Sequence, residues 1–169
     1  MNVRTFAGYF LLMDASKNEG LYQRIIRQLE ALLTKTNDPV ARMSTVAAVL
    51  SHKFDSFFWC GFYFLHGDKM IVGPYQGPVA CQVLQGTGVC LAAAEQNKSI
   101  VVPDVHKFPG HIACDSRSNS EIVVPVRDPD GNIKAVLDVD SANFNSFDET
   151  DRVYLEIISG LIYPAKQKG

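Results

Sequence analysis

The sequence predicts an α+β domain in which helices pack on one antiparallel sheet, and three observations carry that prediction. Apolar residues recur at helical spacing near both ends of the chain. The middle alternates short β-prone runs with Gly- and Pro-rich turns. The resulting order is helix, helix, antiparallel strands with loop insertions, helix. At 169 residues, with no repeat, low-complexity tract or linker, one domain over residues 1–169 is expected, large enough to bury a sizeable core.

From Leu21 the residues Leu21, Ile25, Ile26, Leu29, Leu32 and Leu33 mark the first helix. Asn37-Asp38-Pro39 ends it and starts a second, with Asp38 as cap and Pro39 in the first turn. That helix presents Met43, Val46, Ala47 and Leu50. The aromatic run Phe57 to Phe64 reads as a buried strand, and His66-Gly67-Asp68 turns it into a shorter one around Met70 to Val72. A Gly- and Pro-rich loop follows. Gly88 then opens a short helix through Glu95, and Ile100 to Val102 is a brief strand. Residues 105–119 lack periodicity, and a loop of that length suggests function. Strands at Glu121 to Arg127 and Ile133 to Asp140 flank the turn Asp128-Pro129-Asp130-Gly131. A last helix starts from a cap at Ser146 or Asp148, with Val153, Leu155, Ile158, Leu161 and Ile162 on its apolar side.

Composition narrows the function classes. The formal net charge is −2 and Lys/Arg residues are scattered, so neither nucleic acid nor an anionic membrane is an expected partner. The apolar run Phe6 to Met13 is far short of the ~20 residues that span a bilayer. No small-x-small cleavage site follows it, so a cytoplasmic protein with an N-terminal segment packed on the domain is expected. The four cysteines, Cys60, Cys81, Cys90 and Cys114, form no CxxC pair. A bound metal is therefore not expected, and the thiols are free unless they cycle.

The hairpin permits a geometric expectation. A turn symmetric about Pro129-Asp130 pairs Ile122 with Leu137, Val124 with Ala135 and Val126 with Ile133, giving one apolar face. Glu121 then lies opposite Asp138, about 5 Å away on the other face. Asp140 follows roughly 7 Å along the same strand and face. Like charges that close raise at least one carboxyl pKa, as a proton donor near neutral pH requires. A solvated strand end accounts for the same pattern.

Trp59, Gly61 and Tyr63 share one strand face. Aromatic walls flanking a residue without a side chain suit a thioether, a methyl group or a cation, though plain core packing gives the same spacing. Cys114 sits in the long loop seven residues before Glu121, where a rigid sheet would present a catalytic group. Cys81 and Cys90 flank Gly86-Thr87-Gly88, so either is free to swing toward Cys114. Cys60 points from the opposite strand face and reads as an inert core thiol.

Several segments in order resemble a known family. They are Trp59 to Tyr63, Gly73 to Gly77 with Ala80-Cys81, Gly86 to Cys90, and Val102 to Val105. The long runs Phe108 to Asp115 and Ser120 to Pro125, then Val136 to Ser141 and Phe147 to Glu149, complete the pattern. The chain is similar from about Tyr22 to Ile162 to the free methionine-(R)-sulfoxide reductases, small stand-alone GAF domains. The resemblance implies a GAF fold: a central antiparallel sheet, helices on one face, and loops forming the pocket on the other. It implies reduction of free L-methionine-(R)-sulfoxide, as in defence against oxidative stress, with Cys114 attacking and Cys81 or Cys90 resolving to a disulfide. Glu121, Asp138 and Asp140 would hold the substrate ammonium and the sulfoxide oxygen, with Asp138 or Asp140 as proton donor. Trp59 and Tyr63 would cage the S-methyl group. No cofactor is bound under this reading. The reductant is an external dithiol such as thioredoxin, fed ultimately by NADPH, and a homodimer is compatible with it. Two departures stand out: the Cys81 to Cys90 stretch is one residue shorter than the common pattern, and Leu91 replaces the usual Gly. The alternatives are a GAF module that binds a small ligand without chemistry, and a thiol redox sensor built on Cys81 and Cys114.

Overall fold

A computed structural model describes the backbone of residues 4–165 and the side chains from Asn18 onward. The side chains of Phe6 to Met13, expected to pack on the domain, lie outside the described residues. The helices are α1 (Arg4–Leu32), α2 (Pro39–Lys53), α3 (Val89–Gln96) and α4 (Glu149–Ser159). The strands are β1 (Trp59–His66), β2 (Lys69–Gln76), β3 (Val83–Gln85), β4 (Ile100–Val102), β5 (Ser120–Arg127) and β6 (Ile133–Ser141). All pairings are antiparallel, in the order β3-β2-β1-β6-β5-β4.

Helix ends follow local chemistry. Asp38 Oδ1 accepts from Ala41 N at 2.8 Å and Pro39 takes the first turn, as expected for α2. Asp148, one of the two expected caps, starts α4 through a reciprocal capping box with Asp151. Asp151 also accepts the Tyr22 hydroxyl at 2.7 Å, tying α4 to α1. α1, α2 and α4 cover one sheet face through Ile25, Leu29, Met43, Val46, Leu50, Leu155 and Ile158, all fully or almost fully buried. Burying each such side chain is worth about 1.5–3 kcal/mol.

Several expectations are corrected. Leu32 and Val153 are exposed, because the buried arc of each helix is narrower than its apolar pattern. β3 falls inside the expected Gly/Pro loop, too short for periodicity to reveal. α3 does not join the other helices. Its Cys90, Leu91 and Ala93 pack on the opposite face with Trp59, Tyr63, Val123 and Val136, so the pocket face carries a helix as well as loops.

The hairpin register also differs. Ile122 pairs with Val139, Val124 with Leu137, and Glu121 with Asp140 rather than Asp138. The turn is longer than a two-residue loop: Asp128 N bonds Asn132 O at 2.9 Å, and Gly131 takes a positive φ of 87°. A type I turn closed by a left-handed glycine adds one residue, and a bulge between Val126 and Arg127 adds another. The total slip of two preserves which face each side chain occupies. The apolar face and the carboxylate face therefore stand, with their cross-strand partners changed.

Candidate functional site

The pocket lies on the α3 face of the sheet. Asp138 and Asp140 project from β6 and Glu121 from neighbouring β5, while Trp59 and Tyr63 stand on β1 opposite Asp140 and Val136. The segment 77–89, which contains β3, covers the pocket with Val79, Leu84 and Thr87. The loop carrying His111, Cys114 and Ser118 closes another side. Thr87 Oγ1 donates to Gly110 O at 2.8 Å, latching these two walls together. All eight side chains singled out from the sequence (Trp59, Tyr63, Cys81, Cys90, Cys114, Glu121, Asp138 and Asp140) meet around this pocket. Seven line it directly. Cys81 joins them through its disulfide to Cys114, with a Cα–Cα distance of 5.4 Å. Cys60 and Cys90 are free thiols. Cys60 faces the helical core, as expected, where burial pushes its thiol up.

The aromatic wall differs from the expected pair of separated rings. Trp59 stacks between Tyr63 and Tyr75, with ring centroids at 5.7 and 5.3 Å. The space over Gly61 is filled: a Cβ there would meet Tyr75 Cβ at 2.2 Å and Trp59 Cη2 at 2.8 Å. Gly61 therefore allows β2 and the indole to approach, and the rings present one continuous apolar surface. The Tyr63 hydroxyl donates to Cys81 O at 3.1 Å, fixing the disulfide relative to that wall.

Two buried carboxyls, Glu121 and Asp138, and the partly buried Asp140 lie together, and each departs from ordinary carboxylate behaviour. Burial raises Glu121 well above the usual range, with repulsion from Asp138 and Asp140 adding to it. Burial and Asp140 do the same to Asp138. Asp140 is pushed up to about 6 by burial, partly offset by the Ser118 hydroxyl that donates to it. His111 Nε2 stands 3.7 Å from Glu121 Oε2, yet burial lowers the imidazole and raises the carboxyl. Both shifts favour the neutral forms, so this contact is not a pair of full charges. Cys90 Sγ donates to Asp138 Oδ2 at 3.5 Å, and burial raises that thiol well above its ordinary value. Among the described residues Asp138 Oδ1 accepts from no N–H, hydroxyl or thiol; the Cys90 thiol reaches only the other oxygen, and the one further proton within reach is that shared with Glu121. Cys114 is exposed, whereas Cys60 and Cys90 are buried and desolvation raises their thiols.

Sequence reasoning missed Tyr75, Ser118 and His111 as contributors. Tyr75 lies beyond a bulge between Gly61 and Tyr63, where β2 was expected to have ended. Ser118 and His111 lie in the aperiodic loop, where no pattern shows which side chains turn inward.

Asp140 supplies a stability test. In the unfolded chain it ionises near its ordinary value of 3.8, and in the fold near 6. Its contribution is thus fully present at low pH and lost as pH rises through about 6, by about 3 kcal/mol at most for a shift of roughly two units. Asp140→Asn is expected to raise the melting temperature relative to the native chain at about pH 8, with the difference shrinking toward about pH 4. A difference independent of pH would contradict burial as the cause.

The model of the GAF domain family matches residues 37–165. GAF domain-containing protein A of Dictyostelium discoideum is 46% identical over 154 residues, covering 90% of this chain and 96% of that protein. The free methionine-R-sulfoxide reductase of Saccharomyces cerevisiae is 38% identical over 152 residues, covering 85% of this chain and 84% of the enzyme. Among solved structures, the free methionine-R-sulfoxide reductase of Neisseria meningitidis in complex with its substrate superposes with a TM-score of 0.82. It is 40% identical and covers 86% of this chain and 87% of that one.

Proposed function

The chain belongs to the GAF-domain family of free methionine-R-sulfoxide reductases, and on that premise we propose that it reduces free L-methionine-(R)-sulfoxide to L-methionine with its own thiols. The observation that carries this reading is the Cys81–Cys114 disulfide beside a pocket lined by three carboxyls, two of them buried, and an aromatic wall. In the reduced enzyme Cys114 attacks the sulfoxide sulfur, being the exposed thiol of the pair. Asp140 is the proton donor to the departing oxygen. It is the carboxyl tied to the Cys114 loop through Ser118, and a value near 6 keeps part of it protonated close to neutrality.

The adduct then collapses: the new sulfur–sulfur bond and the methionine S–O bond break as the oxygen passes to the Cys114 sulfur, which releases methionine, reduced by two electrons, and leaves Cys114 as a sulfenic acid, oxidised by two. The Cys81 thiol then attacks that sulfur, water is expelled, and the disulfide forms. An external dithiol of the thioredoxin type, supplied ultimately by NADPH, returns both cysteines to thiols, and no bound cofactor takes part. The Trp59–Tyr63 surface packs the S-methyl group, while Glu121 and Asp138 receive the substrate ammonium.

The test is an NADPH-coupled thioredoxin assay on resolved epimers of the free amino acid. The R epimer is expected to turn over, and the S epimer roughly 10²-fold more slowly, because its oxygen points away from the donor. Equal rates, or none with R, would refute the reading. The thiol-sensor alternative predicts oxidation of the cysteines without sustained substrate turnover.

A further inference from the structure

The proposed reaction leaves Cys90 with no step of its own, although its thiol is buried among carboxyls. One ligand atom each from Cys90, Glu121 and Asp138 lie within 4.8 Å of one another. These three residues are only 4%, 5% and 6% exposed. His111 Nε2, 3.7 Å from Glu121 Oε2, faces the same cavity. One thiol and two carboxyls make a three-donor set for a tetrahedral borderline-soft ion that keeps one position open. Zinc bonded to sulfur and oxygen at its usual lengths holds the two ligand atoms about 3.5 Å apart. Cys90 Sγ and Asp138 Oδ2 already stand at 3.5 Å.

A second observation favours a cation at this position. Asp138 Oδ1 is buried without an N–H, hydroxyl or thiol donor, and no Lys or Arg is among the residues lining the cavity. A buried carboxyl in that position needs a proton or a cation. Cys90 stays available whether or not the disulfide is formed.

We infer that Cys90, Glu121 and Asp138 form a three-ligand binding site for a borderline-soft divalent cation, Zn²⁺ foremost, inside the pocket, with the fourth position open toward the cavity. Mg²⁺ and Ca²⁺ fit less well, since they prefer all-oxygen shells. The binding stands on these residues alone. Its consequence, that the ion and the sulfoxide amino acid exclude each other, rests on the proposed function, because both need Glu121 and Asp138.

The full chain, with the Cys81–Cys114 disulfide intact and the other thiols reduced, is titrated with Co²⁺ and then Zn²⁺. The disulfide keeps Cys81 and Cys114 from offering thiolates. The expected result is one Co²⁺ per chain with thiolate-to-cobalt charge-transfer absorption, bleached by Zn²⁺. That absorption should vanish in Cys90→Ser and persist in Cys60→Ser. Glu121→Gln, which keeps every thiol, should weaken cobalt binding by at least the loss of an outer-shell partner, about tenfold. Absence of the charge-transfer band in the native chain, or its survival in Cys90→Ser, overturns the site. Should Cys90→Ser fail to fold, unchanged affinity in Glu121→Gln overturns it instead. Free methionine sulfoxide should displace the cobalt. Binding without displacement would overturn the shared pocket and leave the metal site intact.

Discussion

Replacing Cys114 with serine is expected to lower turnover of free methionine sulfoxide by about 10⁴-fold or more, as for other covalent nucleophiles. A hydroxyl at that position is far less nucleophilic toward sulfur than a thiolate, and it cannot form the sulfenic intermediate. The comparison must use reduced native protein. The Cys81–Cys114 bridge closes a separation of 33 residues, and by loop entropy alone it stabilises the oxidised chain by about 4 kcal/mol. Against the reduced chain, melting of the serine variant should be nearly unchanged, because residue 114 is exposed. One equivalent of substrate should give the native chain a Cys81–Cys114 bridge by peptide mapping, with Cys60 free behind the sheet. Appreciable turnover by folded Cys114→Ser would remove this residue from the role of nucleophile.

The chemistry of the pocket also bears on the ligand-binding alternative. A phosphate would find no Lys or Arg among the lining residues and would be repelled by whichever of the three carboxyls is ionised. An ammonium does the reverse. It draws the shared proton away and leaves carboxylates that replace its lost water. This asymmetry favours an amino acid over a nucleotide, independently of the cysteines.

Much of this arrangement was legible in the sequence because it depends on parity. Period-two alternation places Trp59 and Tyr63 opposite Cys60, and Glu121, Asp138 and Asp140 opposite Ile122, Leu137 and Val139, whatever the exact register. The register itself depends on turn geometry. Gly131 in the left-handed region and the bulge at Val126 shifted every pair by two, which no count of apolar residues could expose. α3 was placed correctly along the chain but not on the right face, since a short helix made mainly of Ala, Val, Leu and Cys is apolar all round. The His111–Ser118 loop was legible only as long and aperiodic. Its inward-facing side chains are set by tertiary contacts such as Val105 N to Asn119 O at 3.0 Å and Thr87 to Gly110.

Blocking both ends of the substrate, as in an N-acetylated, amidated methionine sulfoxide, is expected to lower kcat/KM by about 10²- to 10⁴-fold. The register bears on this. Glu121 pairs directly with Asp140, but its ligand atoms cluster with Asp138 and Cys90, while Asp140 is held by Ser118 on the Cys114 loop. The three carboxyls thus divide into a pair that can receive an ammonium and one beside the reacting thiol. Each hydrogen bond from an ammonium to a buried carboxylate is worth about 1.5–3 kcal/mol, and a neutral amide forfeits two of them. The blocked substrate also carries chain on both sides, into a pocket covered by residues 77–89 and latched at Thr87. Glu121→Gln should therefore raise KM for the free amino acid more than it lowers kcat, because the role proposed for Glu121 is to hold the ammonium and not the oxygen. Comparable kcat/KM for free and blocked sulfoxides would show that these buried carboxyls do not select the substrate by its charge.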